Sequence, residues 1–163
     1  MSYALDCEMV ATDKGQGLGR VSIVDGNGKV VFDQHCKPPG TVTDCLTSYS
    51  GITPSDLQNA RPSHQVANEA KQILQVGNDL TFGLITTSQG KMVVGHDLES
   101  DFHALGFTCP NTFDTATAAS VRRAAGLPVD GQKPSLKDIA KDLCGRLAFE
   151  CDWLIVFDAA FFL

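Results

Sequence analysis

The chain has 163 residues, 43% hydrophobic and 20% charged, with 13 Lys and Arg against 19 Asp and Glu for a net charge of −6. That length and mixture fit one soluble globular domain, residues 1–163, able to bury a sizeable core. They argue against a disordered tail and against tight polyanion binding by net charge alone.

The first element is a strand over Tyr3-Ala4-Leu5-Asp6-Cys7-Glu8-Met9-Val10, mostly apolar and followed by the glycine-rich Gly15-Gln16-Gly17-Leu18-Gly19, read here as a turn. Side chains alternate along a strand, so Asp6 and Glu8 share one face while Leu5, Cys7 and Met9 share the other. Their Cα atoms lie roughly 6.5–7 Å apart. Two carboxylates so placed repel each other unless water or a cation separates them. A short D-x-E alone fits an edge strand with its acidic face in water equally well.

Arg20–Asp25 and Lys29–Gln34 are further β-rich runs joined by Gly26-Asn27-Gly28, a hairpin signal. The first three strands therefore form an antiparallel meander. Thr41 to Thr53 has no clear period; Thr53 then caps a short helix with Pro54 in its first turn. A helix follows from about Ser63 to Val76, with Val66, Ala70, Ile73 and Leu74 on one face. Leu80–Ile85 and Lys91–Gly95 are strand-like, and Met92-Val93-Val94 reads as an interior strand ending at Gly95-His96.

The helix from Leu98 to Leu105 carries a stripe of Leu98, Phe102 and Leu105, and Asp101 falls inside it. An inward carboxylate is costly unless it is partnered; a margin position in water is the bland alternative. Phe113-Asp114-Thr115 is read as the opening of a helix capped by Asp114 and ending at Arg122-Arg123. Ser135 and Asp138 form a capping box for a helix to about Cys144, which Gly145 stops. In the last eleven residues, Trp153 to Leu163, Asp158 is the only charge, and no Lys or Arg occurs in the last seventeen. A buried Asp158 needs a positive partner such as a metal ion; a frayed terminus would leave it in water.

The six cysteines form no C-x-x-C pair and suit core positions in a reducing compartment. No secretory signal opens the chain, and no apolar run reaches the ~20 residues of a membrane span. The expectation is a soluble intracellular protein with no membrane partner.

Asp6, Glu8, Asp101 and Asp158 together form a constellation, and the surrounding residues carry a resemblance. The blocks Ala4–Val10, Arg20–Asp25, Ser50–Thr53, Val94–Leu98 with Asp101, Asp114-Thr115, Pro134–Lys137 and Asp158-Ala159 resemble the DEDD superfamily of 3′–5′ exonucleases. Within it the chain is most similar to the RNA exonucleases that include the interferon-stimulated and ribosomal-RNA-processing enzymes. The resemblance covers nearly the whole chain, with residues 78–91 as an insertion. It implies an α/β, RNase H-like fold: a mixed central sheet, its meander at the N-terminus, flanked by helices. It also implies a two-metal site in which Asp6, Glu8, Asp101 and Asp158 hold Mg²⁺ or Mn²⁺ and hydrolyse phosphodiesters at the 3′ end of single-stranded RNA or DNA. Met9, Leu98 and Phe102 become candidates for packing the terminal nucleotide, though core packing explains them equally well. A role in RNA processing and residence in the nucleus or nucleolus follow from the relatives alone.

The departures are as informative. A histidine branch of the family places its general base five residues before the last Asp, which here is Trp153; a tyrosine branch would use position 154, here Leu154. His96 precedes Asp101 by the same spacing but belongs to the middle motif and reads as structural. Ala11 replaces the family's Gly, and Cys45-Leu46 stand where relatives carry Tyr-Arg. Two readings result: a metal-dependent exonuclease, slowed by the missing base, and a catalytically impaired relative that binds RNA or a protein. The acid set favours the first; Trp153 favours the second.

Overall fold

A computed structural model describes residues 2–75 and 91–139. Three strands open the chain: β1 (Ser2–Thr12), β2 (Gly15–Asp25) and β3 (Val30–Lys37). They pair antiparallel in sequence order, as the meander requires. The second turn is set by Asp25, whose Oδ1 accepts the N–H groups of Asn27 (2.9 Å) and Lys29 (3.1 Å). Gly28 supplies the left-handed φ of 77° there.

The stretch Gly15–Gly19 is strand, contrary to the turn expected from its glycines. The glycines answer a different need. A Cβ on Gly19 would stand 2.7 Å from Ile52 Cδ1 and 2.9 Å from Val10 Cγ1, and one on Gly17 would collide with Pro38. At Gly19 the β1–β2 register shifts: Glu8 pairs with Arg20 and Met9 with Leu18, leaving a bulge.

The segment without a period forms β4 (Val42–Asp44) and a single helical turn, α1 (Thr47–Ser50). The helix α2 (Pro54–Gln58) follows with Thr53 as its N-cap, as expected, and the Asp56 carboxylate accepts the Thr53 N–H at 2.8 Å. A two-residue strand β5 (Arg61–Pro62) leads into α3 (Ser63–Gln75). Then come β6 (Met92–Gly95), α4 (Leu98–Leu105), β7 (Thr112–Asp114) and α5 (Ala119–Ala124). Phe113 and Asp114 thus end a parallel strand and do not open a helix; the pairing of β7 with β6 overrides the local cap signal. A helical turn at 136–139 starts at the expected box, with the Asp138 N–H donating to Ser135 Oγ.

Among the described residues the sheet order is β5-β3-β2-β1-β6-β7, with β4 on β1 as well. The sheet is mixed: β1 is antiparallel to β2 and parallel to β6. One face, through Leu5, Val21, Ile23 and Val93, buries Val66, Ala70 and Leu74 of α3 and Leu98, Phe102 and Leu105 of α4. Ala4, Val24 and Val94 form a smaller cluster with Phe113 and Leu136, and Val10 packs with Ile52 and Leu57. This is the α/β sheet flanked by helices that the resemblance implies. Four cysteines in the described residues are free thiols, and Cys36 is fully buried in the core. No described helix is long and apolar enough to cross a membrane.

Candidate active site

The site is built on an interruption in the sheet. Along one edge of β1, β6 pairs with Ser2–Ala4 and β4 with Ala11–Thr12. Residues 5–10 have no strand partner on that edge among the described residues, and they contain Asp6 and Glu8. The Cys7 N–H is satisfied by the Asp101 carboxylate. A side chain from α4 thus takes the place of a strand.

How α4 comes to deliver Asp101 is visible at its start. Gly95 ends β6 because a Cβ there would collide with Leu98 and approach the Leu5 carbonyl at 3.0 Å. Asp97 then turns the chain in the left-handed region, φ 62°, a conformation that Asp tolerates better than most residues. Asp114 closes the turn from the end of β7: its Oδ1 accepts the Asp97 N–H at 2.9 Å and its Oδ2 the Leu98 N–H at 3.2 Å. It also accepts the Ala116 N–H at 2.9 Å. Asp114 therefore caps α4, a contact across seventeen residues that the sequence reading assigned to a local helix. Lys133 reaches back to Asp97 and Glu99. Burial pushes the Asp97 carboxyl up, but the Lys133 and Ser100 hydrogen bonds outweigh it and hold the group below the usual range.

His96 is structural, as its place in the sequence suggested. Its Nδ1 lies 3.0 Å from Thr115 Oγ1 and its Nε2 3.0 Å from the Pro134 carbonyl. A carbonyl only accepts, so Nε2 carries a proton. Burial lowers the pKa of the ring. The histidine ties the end of β6 to the 128–134 loop, which Arg122 also holds through the carbonyls of Pro128 and Gln132 while donating to that of Ala116.

Asp101 is only 8% exposed. Its Oδ2 is buried with no hydrogen-bond partner among the described residues. Burial first, and then the Asp6 charge, push its carboxyl up to about 8, against the pull of the Cys7 N–H. Burial, with the nearby Asp101 and Asp6 charges, likewise raises the Cys7 thiol well above its ordinary value. Asp6 and Asp101 are therefore close enough to repel. Glu8 stands opposite Arg20 across the β1–β2 ladder. That guanidinium is engaged by Asp33, at 2.7 Å through both Nε and Nη2, and Ser22 donates to the same carboxylate at 2.8 Å.

The structure thus sets Asp101 beside Asp6, with Glu8 two residues further along β1. Asp158 and Trp153 lie outside the described residues, and among the described residues no group of three His, Cys, Asp or Glu side chains forms a metal centre. Leu98 and Phe102 belong to the core, buried with Leu5 and Val93. Met9 is half-buried and lines a groove of about 860 Å³ with Cys7, Lys14, Ser100, Asp101 and His103. A separate hollow of about 930 Å³ between residues 37–47 and α2 is lined by none of Asp6, Glu8 and Asp101.

Comparison with known proteins bears on the family and the fold. The family model RNase_T, described as Exonuclease, matches residues 3–143. An uncharacterized exonuclease of Schizosaccharomyces pombe is 38% identical over 137 residues, covering 84% of this chain and 19% of that protein. RNA exonuclease 4 of Gibberella zeae is 35% identical over 147 residues, covering 87% of this chain and 40% of that one. The chain therefore spans less than half the length of these relatives. The Pan2 catalytic unit of Neurospora crassa (protease and nuclease domain) superposes with a TM-score of 0.74 over 98% of this chain and 26% of its own, at 21% identity.

Proposed function

We propose that this chain, which belongs to the RNase_T exonuclease family, is a metal-dependent 3′–5′ exonuclease that shortens single-stranded RNA. The observation that carries the reading is the buried, unpartnered Oδ2 of Asp101 beside Asp6. Two acids that repel at an interruption in a sheet are a standing cost unless positive charge joins them. The donors are all carboxylate oxygens, the set that hard divalent cations prefer. Asp6, Glu8, Asp101 and Asp158 would hold Mg²⁺ or Mn²⁺. When bound, such cations supply positive charge to the phosphate as its ester bond is cleaved, and help to activate the attacking water.

The chain's own residues do the positioning. The Cys7 N–H and the Asp114 cap fix Asp101, so its carboxylate needs little reorganisation to meet its partner. Asp33 keeps the Arg20 guanidinium fixed opposite Glu8 in a two-pronged pair. The groove at Met9 is the place for the terminal nucleotide, with Lys14 and His103 on its walls. The family's histidine base is replaced by Trp153, so proton removal from the attacking water lacks a side-chain acceptor there. The expected consequence is a slow enzyme, by about 10²–10⁴.

The test is an end-labelled single-stranded RNA incubated with Mn²⁺ or with chelator. Products shortening from the 3′ end only with Mn²⁺ support the reading. Intact RNA that the chain still retains on a gel would favour the alternative that Trp153 suggests, a catalytically impaired RNA-binding relative.

A further inference from the structure

Tyr49 is 88% exposed, the most exposed of the large hydrophobic side chains on the described surface. Leaving an aromatic ring in water forgoes about 1.5–3 kcal/mol of burial, so its surroundings matter. The turn that displays it is held rigidly. Ser50 Oγ donates to the Cys45 carbonyl at 2.7 Å and accepts the Ile52 N–H at 3.0 Å. Thr47 Oγ1 donates to the Ile52 carbonyl at 2.6 Å, and the Gly51 N–H donates to the Thr47 carbonyl at 3.0 Å. Leu46, which starts the turn, keeps a left-handed φ of 54° without being glycine, a conformation that costs about 1–2 kcal/mol. Ser50 and Ile52 are buried, while Tyr49 just before them is exposed to water.

The turn also stands in a telling place. Ile52 packs on Val10, and Val10 is two residues beyond Glu8 on the same face of β1 as Asp6 and Glu8. Three residues separate Tyr49 from Ile52, a span of at most about 11 Å. The turn bearing the ring is therefore anchored on β1 just beyond Glu8, next to the point where β4 pairs with Ala11 and Thr12.

We propose that Tyr49 is a stacking platform for a base of the nucleic-acid strand, upstream of the scissile bond. A rigid, exposed aromatic suits a base because every base offers a π-face, and it holds a strand without reading its sequence. The turn adds no positive charge of its own, so its contribution comes from stacking, and phosphate contacts arise elsewhere. The inference rests on the exonuclease reading for the direction of the strand.

The experiment measures binding separately from cleavage. Oligouridylate twelve nucleotides long is titrated in chelator against the intact chain and against Tyr49→Ala, Tyr49→Phe and Tyr49→Trp. Stacking is worth about 5- to 150-fold in affinity per base. The expected result is a loss in that range for Tyr49→Ala, full recovery with Phe and Trp, and quenching of the added Trp fluorescence by the strand. Melting temperatures unchanged by Tyr49→Ala would show that the loss is not one of folding. Equal affinity of Tyr49→Ala and the parent overturns the platform and leaves the exonuclease reading standing. Recovery by neither Phe nor Trp also overturns it, since the hydroxyl would then be the contact. A parent chain that neither binds the strand nor shortens it with Mn²⁺ removes both proposals together.

Discussion

At the residue scale, Asp101 has the most informative electrostatics. Its carboxyl stands at about 8 in the folded chain, against about 3.9 for an unfolded Asp. Between those values the folded state binds the extra proton, so stability is highest at the acid end and falls as pH rises. The slope from this group is at most about 1.4 kcal/mol per pH unit, and it flattens above the folded value. Thermal unfolding in chelator from pH 5 to pH 8 should therefore show a declining Tm. Asp101→Asn should remove that part of the decline, because a neutral amide fits the burial that the carboxylate resists. A parent profile that is flat or rises across this window would show that Asp101 is not desolvated beside Asp6. A second residue-scale prediction concerns the position before the last acid. Trp153→His should increase hydrolysis of a 3′-hydroxyl RNA by up to about 10²–10⁴, with little change in binding. A parent that is already fast, and unmoved by the substitution, would mean that the base comes from elsewhere.

Elements show how the same residue type can signal two things. Glycines at 15, 17 and 19 read as a turn from composition, yet Gly17 and Gly19 lie inside β2 because Pro38, Ile52 and Val10 leave no room for a Cβ. Gly19→Ala should destabilise the chain by about 1–3 kcal/mol, the cost of overpacking, read as a lower urea midpoint at unchanged m. A neutral substitution would mean that Ile52 gives way and the bulge is not needed. The meander, by contrast, was legible because its strands are β-rich runs and the second turn carries its own chemistry in Asp25-Gly26-Asn27-Gly28. The inward Asp101 was half legible: one charge within an apolar stripe fitted an inward position and a solvated margin equally well. What stayed hidden was long-range. Asp114 looked like a cap for the residues that follow it, but it caps α4, because β7 pairs with β6 and brings the two together. Thr41–Thr53 showed no period because β4 is held by pairing with β1 and α1 by side-chain bonds to backbone. Neither leaves a repeating pattern of apolar residues.

At the scale of the whole molecule, an excess of six negative charges is set against the polyanionic substrate that the exonuclease reading proposes. The conflict eases if the acids are concentrated where cations join them, since each divalent ion that binds cancels two charges at the point where phosphate must approach. Ions held by the gathered acids of the folded chain and not by the separated carboxylates of the unfolded one would also stabilise the fold. At 100 times Kd the gain is about 2.7 kcal/mol, or about 5–10 °C in Tm for a chain of this length. Mn²⁺ should raise the parent's Tm by that order, and Asp6→Ala should abolish the shift while a surface control such as Asp130→Ala keeps it. The effect should be larger at pH 8 than at pH 6, because the proton on Asp101 competes with the cation at the lower pH. A shift of equal size in Asp6→Ala would place the ions elsewhere on the acidic surface. It would leave the repulsion between Asp6 and Asp101 without the partner that the exonuclease reading assigns to it.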